Sequence, residues 1–218
     1  MVTAAQFQER ARHMVETQLR ERGIRDERVL EAMRLVPRHE FVPALAAGAA
    51  YEDRPLPIGE YETISQPYMV AAMTEAAQAA PGDKALEIGA GSGYQAAILA
   101  HLGATVYAVE INPRLAEKAR ERLQRLGYEK VEVFCADGSE GLPAYAPYDV
   151  VIVSAATPSV SPVLLGQLAE SGRLVVPVGS LHHQELLRLL KHGGQITTRR
   201  LCACQYVPLI GKGGWPEG

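Results

Sequence analysis

The sequence is poor in the features that would assign it to several common classes. Only three of its 218 residues are cysteine, Cys135, Cys202 and Cys204. The count is odd, and Cys202-Ala203-Cys204 lacks the two-residue gap and second ligand pair of a zinc site, so the three are expected to be reduced packing residues, with no disulfide and no metal. There is no excess of basic charge: 22 basic and 25 acidic residues leave a net charge of −3. They are mixed along the chain without the basic stripe that duplex phosphates require, so nucleic acid is not an expected partner. There is no long apolar run either. Charges interrupt every candidate membrane span, and residues 1–12 hold no uninterrupted apolar stretch before a cleavage site. A cytoplasmic protein without a membrane partner is expected, with a monomer favoured. Repeats and low-complexity segments are missing as well.

What is present is 47% hydrophobic content, enough for one sizeable core in a chain too short for two ordinary domains and a linker. A single domain over 1–218 is expected, with N-terminal helices and a loop in 1–80 and an α/β core in 81–218. Phe7, Ala11, Met14, Val15 and Leu19 recur at helical spacing across 4–21, and Gly23 follows as a stop. Asp26 suits the N-cap of a second helix through Val29, Leu30 and Met33 that ends near Val36, before Pro37. Pro43, Pro55, Pro57 and Gly59 punctuate 41–67, which reads as an ordered, irregular loop. A third helix through Met69, Val70, Met73, Ala76 and Ala77 leads to the Pro81-Gly82 turn.

Five short apolar runs then alternate with helical or turn-rich stretches: 85–88, 106–109, 131–134, 150–153 and 174–178. This pattern predicts a buried, mostly parallel, doubly wound sheet. The runs 186–190 and 206–210 are candidate closing strands, although the first also fits a helix. His182 and His183 read as a solvated turn, and Trp215 is open between core and site.

The first strand enters Glu87-Ile88-Gly89-Ala90-Gly91-Ser92-Gly93-Tyr94 and then a helix. A tight strand-to-helix turn with a ligand against its backbone leaves no room for side chains. Glu110, 21 residues beyond Gly89 at the end of the second strand, is placed to accept both hydroxyls of a ribose. The G-x-G-x-G spacing displaces the third glycine of dinucleotide enzymes, which favours a methyl-donor nucleoside over NAD. Asp137-Gly138 follows the third strand; its carboxylate reads equally as an acceptor for an adenine amino group and as a solvated turn acid. Asp149 reads as a turn or cap residue. Small residues at Ser154-Ala155-Ala156 leave space at the carboxyl edge of the sheet, where ligands of open α/β sheets bind.

Over nearly its whole length the chain resembles the protein-L-isoaspartate (D-aspartate) O-methyltransferases. The resemblance is carried by Pro57-Ile58-Gly59, Thr63-Ile64-Ser65-Gln66-Pro67-Tyr68-Met69, Leu86-Glu87-Ile88-Gly89 through Gln95, Ala146-Pro147-Tyr148-Asp149, Pro177-Val178-Gly179 and Val207-Pro208-Leu209, in the family's order. It implies the class I S-adenosylmethionine-dependent methyltransferase fold with an N-terminal helical cap. It also implies methyl transfer from S-adenosylmethionine to isoaspartyl carboxylates of damaged peptides and proteins.

By the same resemblance the donor site comprises Thr63, Ile64, Gln66, Glu87, Gly89, Ala90, Gly91, Ser92, Tyr94, Glu110, Ile111, Asp137 and Gly138. The substrate side comprises Pro57, Ile58, Ser65, Ala155 and Val207, with Ser65 as the active-site serine. The chain departs from the family pattern at Tyr61, usually glycine, at Ala90 and Ala136, and at Gln205-Tyr206, usually arginine-phenylalanine. Because a carboxylate nucleophile is already ionised at neutral pH, the chemistry needs no general base, which agrees with the want of a Ser-His-Asp or paired-carboxylate constellation near the loop. Two other readings use the same glycine loop: a methyltransferase for another carboxylate or small molecule, and a nucleoside-binding regulatory module.

Overall fold

The computed structural model describes residues 2–216; Met1, Glu217 and Gly218, which the 1–218 domain reading includes, lie outside the described residues. Helix α1 (Ala4–His13) begins at Thr3, whose side chain and Gln6 form a reciprocal capping box. The chain continues as a wider helical segment, Met14–Arg20, with five-residue bonds such as Glu21 N–H to Glu16 C=O. Met14, Val15 and Leu19 are buried by it, and Gly23 follows at φ +101°. Helix α2 (Glu27–Leu35) is capped by Asp26 and stops at Val36, as read from sequence.

The segment 41–67 is more regular than expected. Two 3₁₀ turns, Arg38–Phe41 and Ala44–Ala49, lead into a hairpin of β1 (Leu56–Gly59) and β2 (Glu62–Ile64). Leu56, Ile58 and Ile64 point inward. This period of two is only three or four residues long and is interrupted by prolines, which hid it.

Helix α3 (Pro67–Ala77) then leads to β3 (Lys84–Ile88), α4 (Tyr94–His101), β4 (Thr105–Glu110), α5 (Pro113–Arg125), β5 (Val131–Cys135), β6 (Tyr148–Val153), α6 (Pro162–Gly166) and β7 (Leu168–Gly179). Strands β8 (Gln184–His192) and β9 (Gln195–Cys204) close the chain's sheet. The strand order is β5-β4-β3-β6-β7-β8-β9, parallel through β7 and antiparallel in the last two. Strand β6 alternates Val150 and Ile152 into the core under α3, α4 and the N-terminal helices with Val151 and Val153 into the opposite core. Such strands, buried on both faces, read as continuous apolar runs.

Three expectations are corrected. Residues 206–210 make only isolated bridges, Ala156 with Pro208 and Ile210 with Trp215; β9 takes the edge, and its polar, exposed face from Gln195 to Arg200 carries no hydrophobic signal. Asp149 lies within β6 and accepts from the Lys84 backbone N–H at 2.9 Å, tying two strands rather than capping a turn. Cys135 is exposed instead of packed, whereas Cys202 and Cys204 are half-buried; all three are free thiols. His182 and His183 occupy an exposed turn, and among the described residues no helix is long and apolar enough to cross a membrane.

The hairpin turn carries strain that the sequence could relieve. Glu60 and Tyr61 adopt φ of 53° and 62°, in the left-handed region where a side chain costs about 1–2 kcal/mol, and the Tyr61 ring is fully exposed. Tyr61→Gly is expected to stabilise the fold by about 1 kcal/mol, a rise of roughly 2–4 °C in the thermal midpoint; a midpoint that stays put or falls contradicts the strain.

Candidate active site

The chain leaves β3, crosses to β4 and β5 on one side, and returns to β6 on the other, so a crevice opens at the carboxyl ends of the central strands. The glycine loop forms its floor. Gly91 has φ of 53° and Gly93 of 85°; a β-carbon on Gly91 would lie 3.3 Å from Ile58 Cδ1, and one on Gly93 3.0 Å from Leu123 Cδ1. Glycine therefore lets the loop pass between the hairpin and α5.

Glu110, 7% exposed, holds this loop. Its Oε2 accepts from Gly91 N–H at 2.8 Å and its Oε1 from Asn112 N–H at 2.9 Å, which leaves further lone pairs facing the crevice. The outer part of the crevice, about 70 Å³, is lined by Glu110, Ile111, Gly138, Ala155, Val207 and Leu209, with Glu62 on the opposite wall. Burial, and then the charge of Glu110, pushes the Glu62 carboxyl above its usual range. Two carboxylates thus face a space that donor groups would relieve.

The inner part, about 40 Å³, is lined by Ile64, Glu87, Ala90, Ser92 and Tyr94 together with Gln95 and Tyr206. Glu87 is 1% exposed. Its Oε1 accepts from Ser154 Oγ at 3.3 Å, while Oε2 has no partner among the described residues. Burial holds this carboxyl well above the usual range, the Ser154 bond opposing it in part.

A third recess, about 760 Å³, opens beside them between Ser65, Gln66 and Tyr68 on one wall and the stretch from Cys202 to Val207 on the other, with Arg22 at its rim. Thr63 and Ser154 line all three spaces, which therefore meet at these two residues. The loop carrying Ser65 is anchored from below. Arg38 is completely buried; its Nη2 donates to Ser65 C=O at 2.7 Å and its Nε to Ala50 C=O at 2.6 Å, and its guanidinium lies 4.9 Å from the Tyr94 ring centroid. Burial lowers its pKa. Tyr206, 9% exposed, sits on the opposite wall, its hydroxyl 2.9 Å from Met73 Sδ. Burial raises the phenol far above its ordinary value, with Cys204 adding to this and the nearby Ser65 side chain opposing it.

The structure gathers most residues read from the sequence, but not all in the expected place. Gln66 lines the large recess rather than the glycine-loop side, and Ala155 lines the glycine-loop side rather than the large recess. Ile58 packs toward Gly91. Pro57 is exposed on β1 and lines none of these spaces. The Asp137 carboxylate turns away from the crevice, accepting from Ser139 N–H and Oγ at 2.9 and 2.6 Å and from Lys212 N–H at 2.9 Å. Its role in the fold is to cap the 3₁₀ turn that presents Gly138. Sequence reasoning missed Arg38, Glu62, Tyr206 and Arg22. For Tyr206 the departure from the family's phenylalanine was the available signal; for buried Arg38 the sequence offered none.

The model of the protein-L-isoaspartate(D-aspartate) O-methyltransferase family matches residues 9–214. A protein-L-isoaspartate O-methyltransferase of Methanoculleus marisnigri is 54% identical over 202 residues, covering 93% of this chain and 92% of the relative. One from a Roseiflexus species is 55% identical over 195 residues, covering 89% of each. Among solved structures, a protein-L-isoaspartate O-methyltransferase superposes with a TM-score of 0.82 at 30% identity over 93% of this chain, which spans 66% of that longer protein. A Plasmodium falciparum protein-L-isoaspartate O-methyltransferase, crystallised with S-adenosyl-L-homocysteine, gives a TM-score of 0.80 at 25% identity over 92% of this chain and 98% of its own. With a model match over almost its whole length and relatives above half identity, the chain belongs to the protein-L-isoaspartate(D-aspartate) O-methyltransferase family.

Proposed function

We propose that the chain methylates the free carboxylate of L-isoaspartyl residues in damaged peptides and proteins, using S-adenosylmethionine, and so initiates their repair. The observation that carries this reading is the meeting of a narrow two-part crevice and a wide recess at Thr63 and Ser154. A cofactor on one side and a polypeptide on the other then have a single point of contact.

The residues present fit the cofactor. The unpartnered Glu87 Oε2 suits an ammonium, the Glu110 and Glu62 carboxylates suit the hydroxyls of a ribose, and Ile111, Gly138 and Leu209 offer an apolar slot for a base. When bound, S-adenosylmethionine supplies an electrophilic methyl group on a sulfonium.

The protein's own work is placement and exclusion of water. Ser65 donates a hydrogen bond to one oxygen of the substrate carboxylate and leaves the other free to point at Thr63 and Ser154. Tyr206, whose hydroxyl proton is engaged by Met73 Sδ, walls the recess beside it. Neither group takes a proton, because the nucleophile is already an anion. Correct placement at near-attack distance contributes up to roughly 7–11 kcal/mol in favourable intramolecular cases. Stripping water from the carboxylate raises its reactivity, since opposite charges neutralise one another as the bond forms. Arg38 serves as a positioning residue through its bond to the Ser65 carbonyl.

A radiolabelled methyl-transfer assay with matched isoaspartyl and aspartyl peptides tests the function: transfer to the isoaspartyl peptide alone is expected, and equal transfer to both, or to neither, contradicts it. The division of roles has its own test. Ser65→Ala is expected to lower kcat about tenfold or more, the worth of a hydrogen bond to a charged group, with the dissociation constant for S-adenosylhomocysteine unchanged in calorimetry. Glu110→Ala is expected to weaken that binding by about a hundredfold, for two such bonds; equal loss of cofactor affinity in both variants refutes the scheme.

Glu87 links the site to stability. Its raised carboxyl pKa means that the folded state keeps a proton the unfolded chain has lost, so stability present below the ordinary carboxylate range is lost as pH rises through the folded pKa. Glu87→Gln is expected to raise the thermal midpoint of the free protein above wild type at pH 8, with the gap closing toward pH 4, and to weaken S-adenosylhomocysteine binding. A midpoint below wild type at pH 8 counts against a buried, unpaired carboxylate.

A further inference from the structure

Beside the large recess lies a smaller one, about 290 Å³, that no step above uses; it is lined by Arg22, Tyr68, Glu75, Gln78, Arg188 and Arg199 among others. Arg22, Tyr68 and Cys202 line both spaces, so the two adjoin across these residues. Its charge is unbalanced. Arg188 of β8 and Arg199 of β9 are direct partners across the antiparallel pair, a juxtaposition of like charges that destabilises a sheet.

Arg173 lies on β7 two residues from Val175, the partner of Arg188, and so on the same face. Its charge is matched by Asp83 at 2.8 Å, and neighbouring Arg200 pairs with Glu185 at 3.4 Å. Neither Arg188 nor Arg199 has a carboxylate partner among the described residues: Arg188 Nη2 donates only to the neutral Gln78 side chain, and its Nε is buried without a partner. Burial, followed by Arg173 and Arg199, lowers the Arg188 pKa. The one acid among the lining residues, Glu75, accepts through Oε1 from the backbone N–H groups of Arg25 and Asp26 at 2.6 and 2.7 Å and forms no ion pair with Arg188 or Arg199. Arg22 is held by Asp53 and stacks 3.7 Å over the Tyr68 ring, forming a partition between the two spaces.

We infer that the Arg188–Arg199 recess is an anion-binding subsite that receives acidic side chains flanking the isoaspartyl residue of a polypeptide substrate. The inference rests on the isoaspartyl reading and adds a preference for sequence context. A substrate polypeptide has to extend beyond the large recess in both directions, at about 3.3 Å per residue when extended. Across the shared wall at Tyr68 and Cys202 lie two unmatched guanidinium groups. Their planar forks suit carboxylates, and an acidic side chain there offsets the repulsion between the paired strands. A substrate with neutral flanks still reaches Ser65, so the subsite governs KM and leaves kcat alone.

The test uses two fluorescently labelled isoaspartyl peptides that differ only in carrying Glu or Gln at the flanking positions. Binding is read by anisotropy with S-adenosylhomocysteine present, and methylation is read separately by steady-state kinetics. Wild type is expected to bind the Glu peptide about three- to tenfold more tightly, with a correspondingly lower KM and the same kcat. The preference is expected to vanish in Arg188→Gln/Arg199→Gln, in the single variant Arg199→Gln at an exposed position that leaves the fold intact, and in about 0.5 M salt. Equal affinity of the two peptides for wild type, or a preference that survives in both variants, overturns the subsite. If both peptides are methylated without preference, the subsite fails and the activity stands. Should charge-dependent binding be lost in the variants while neither peptide is methylated by wild type, the subsite stands and the activity fails.

Discussion

The carboxylate of Glu110 accepts from the N–H groups of Gly91 and Asn112, and the rest of the site depends on that pair of bonds. They join the loops that leave β3 and β4 beyond the point where Gly89 and Ala90 N–H, both donating to Val109 C=O, end the backbone contact between the two strands. With the two loops locked, Ile58 of the hairpin has a surface to pack against at Gly91, and the hairpin in turn carries Glu62 to Ile64 over the crevice. One buried side chain thus sets the width of the opening and still presents unused acceptors to it.

The opposite wall is held by different physics. Arg38 is a buried cation without an anion: its Nε and Nη2 donate to the carbonyls of Ala50 and Ser65, its Nη1 has no partner among the described residues, and it faces the Tyr94 ring. Such a group costs stability unless its hydrogen bonds are well made. Here two of them fasten the Ser65 loop to the turn that ends at Ala50, and the guanidinium packs against Tyr94 at the start of the helix that follows the glycine turn. Glu87 is the acidic counterpart on the other side of the crevice, half satisfied by Ser154. A buried cation without an anion and a buried carboxyl with an unpartnered oxygen, within one otherwise apolar region, are what a site arranged for ligands, rather than for maximal stability, is expected to hold.

Much of this was legible in the sequence, for identifiable reasons. Strands β3, β4 and β6 are buried on both faces and so announce themselves as apolar runs. Asp26 caps its helix where the residue type predicts, and Glu110 follows the glycine loop at the spacing a βαβ unit imposes. What was not legible depends on long-range packing or on exposure. Strand β9 is an edge whose outward residues are polar, so no periodicity marks it. The hairpin at 56–64 is too short for its alternation to register among prolines. Asp137 has the expected position but an unexpected direction, because Ser139 and Lys212 engage its carboxylate from the protein side. Arg38 and Tyr206 gain their meaning only when segments 27 and 141 residues away in sequence are brought against Ser65. The paired Arg188 and Arg199 likewise become neighbours only through the register of β8 and β9.

The central claim, that Glu110 fixes the crevice and grips the sugar of a nucleoside cofactor lodged there, is tested most directly by a crystal structure of the protein with S-adenosylhomocysteine. The account predicts both ribose hydroxyls within hydrogen-bond distance of the Glu110 carboxylate, with its bonds to Gly91 and Asn112 retained and the cofactor sulfur facing the opening between Thr63 and Ser154. A cofactor bound elsewhere, or one bound in the crevice with its ribose turned away from Glu110, contradicts it.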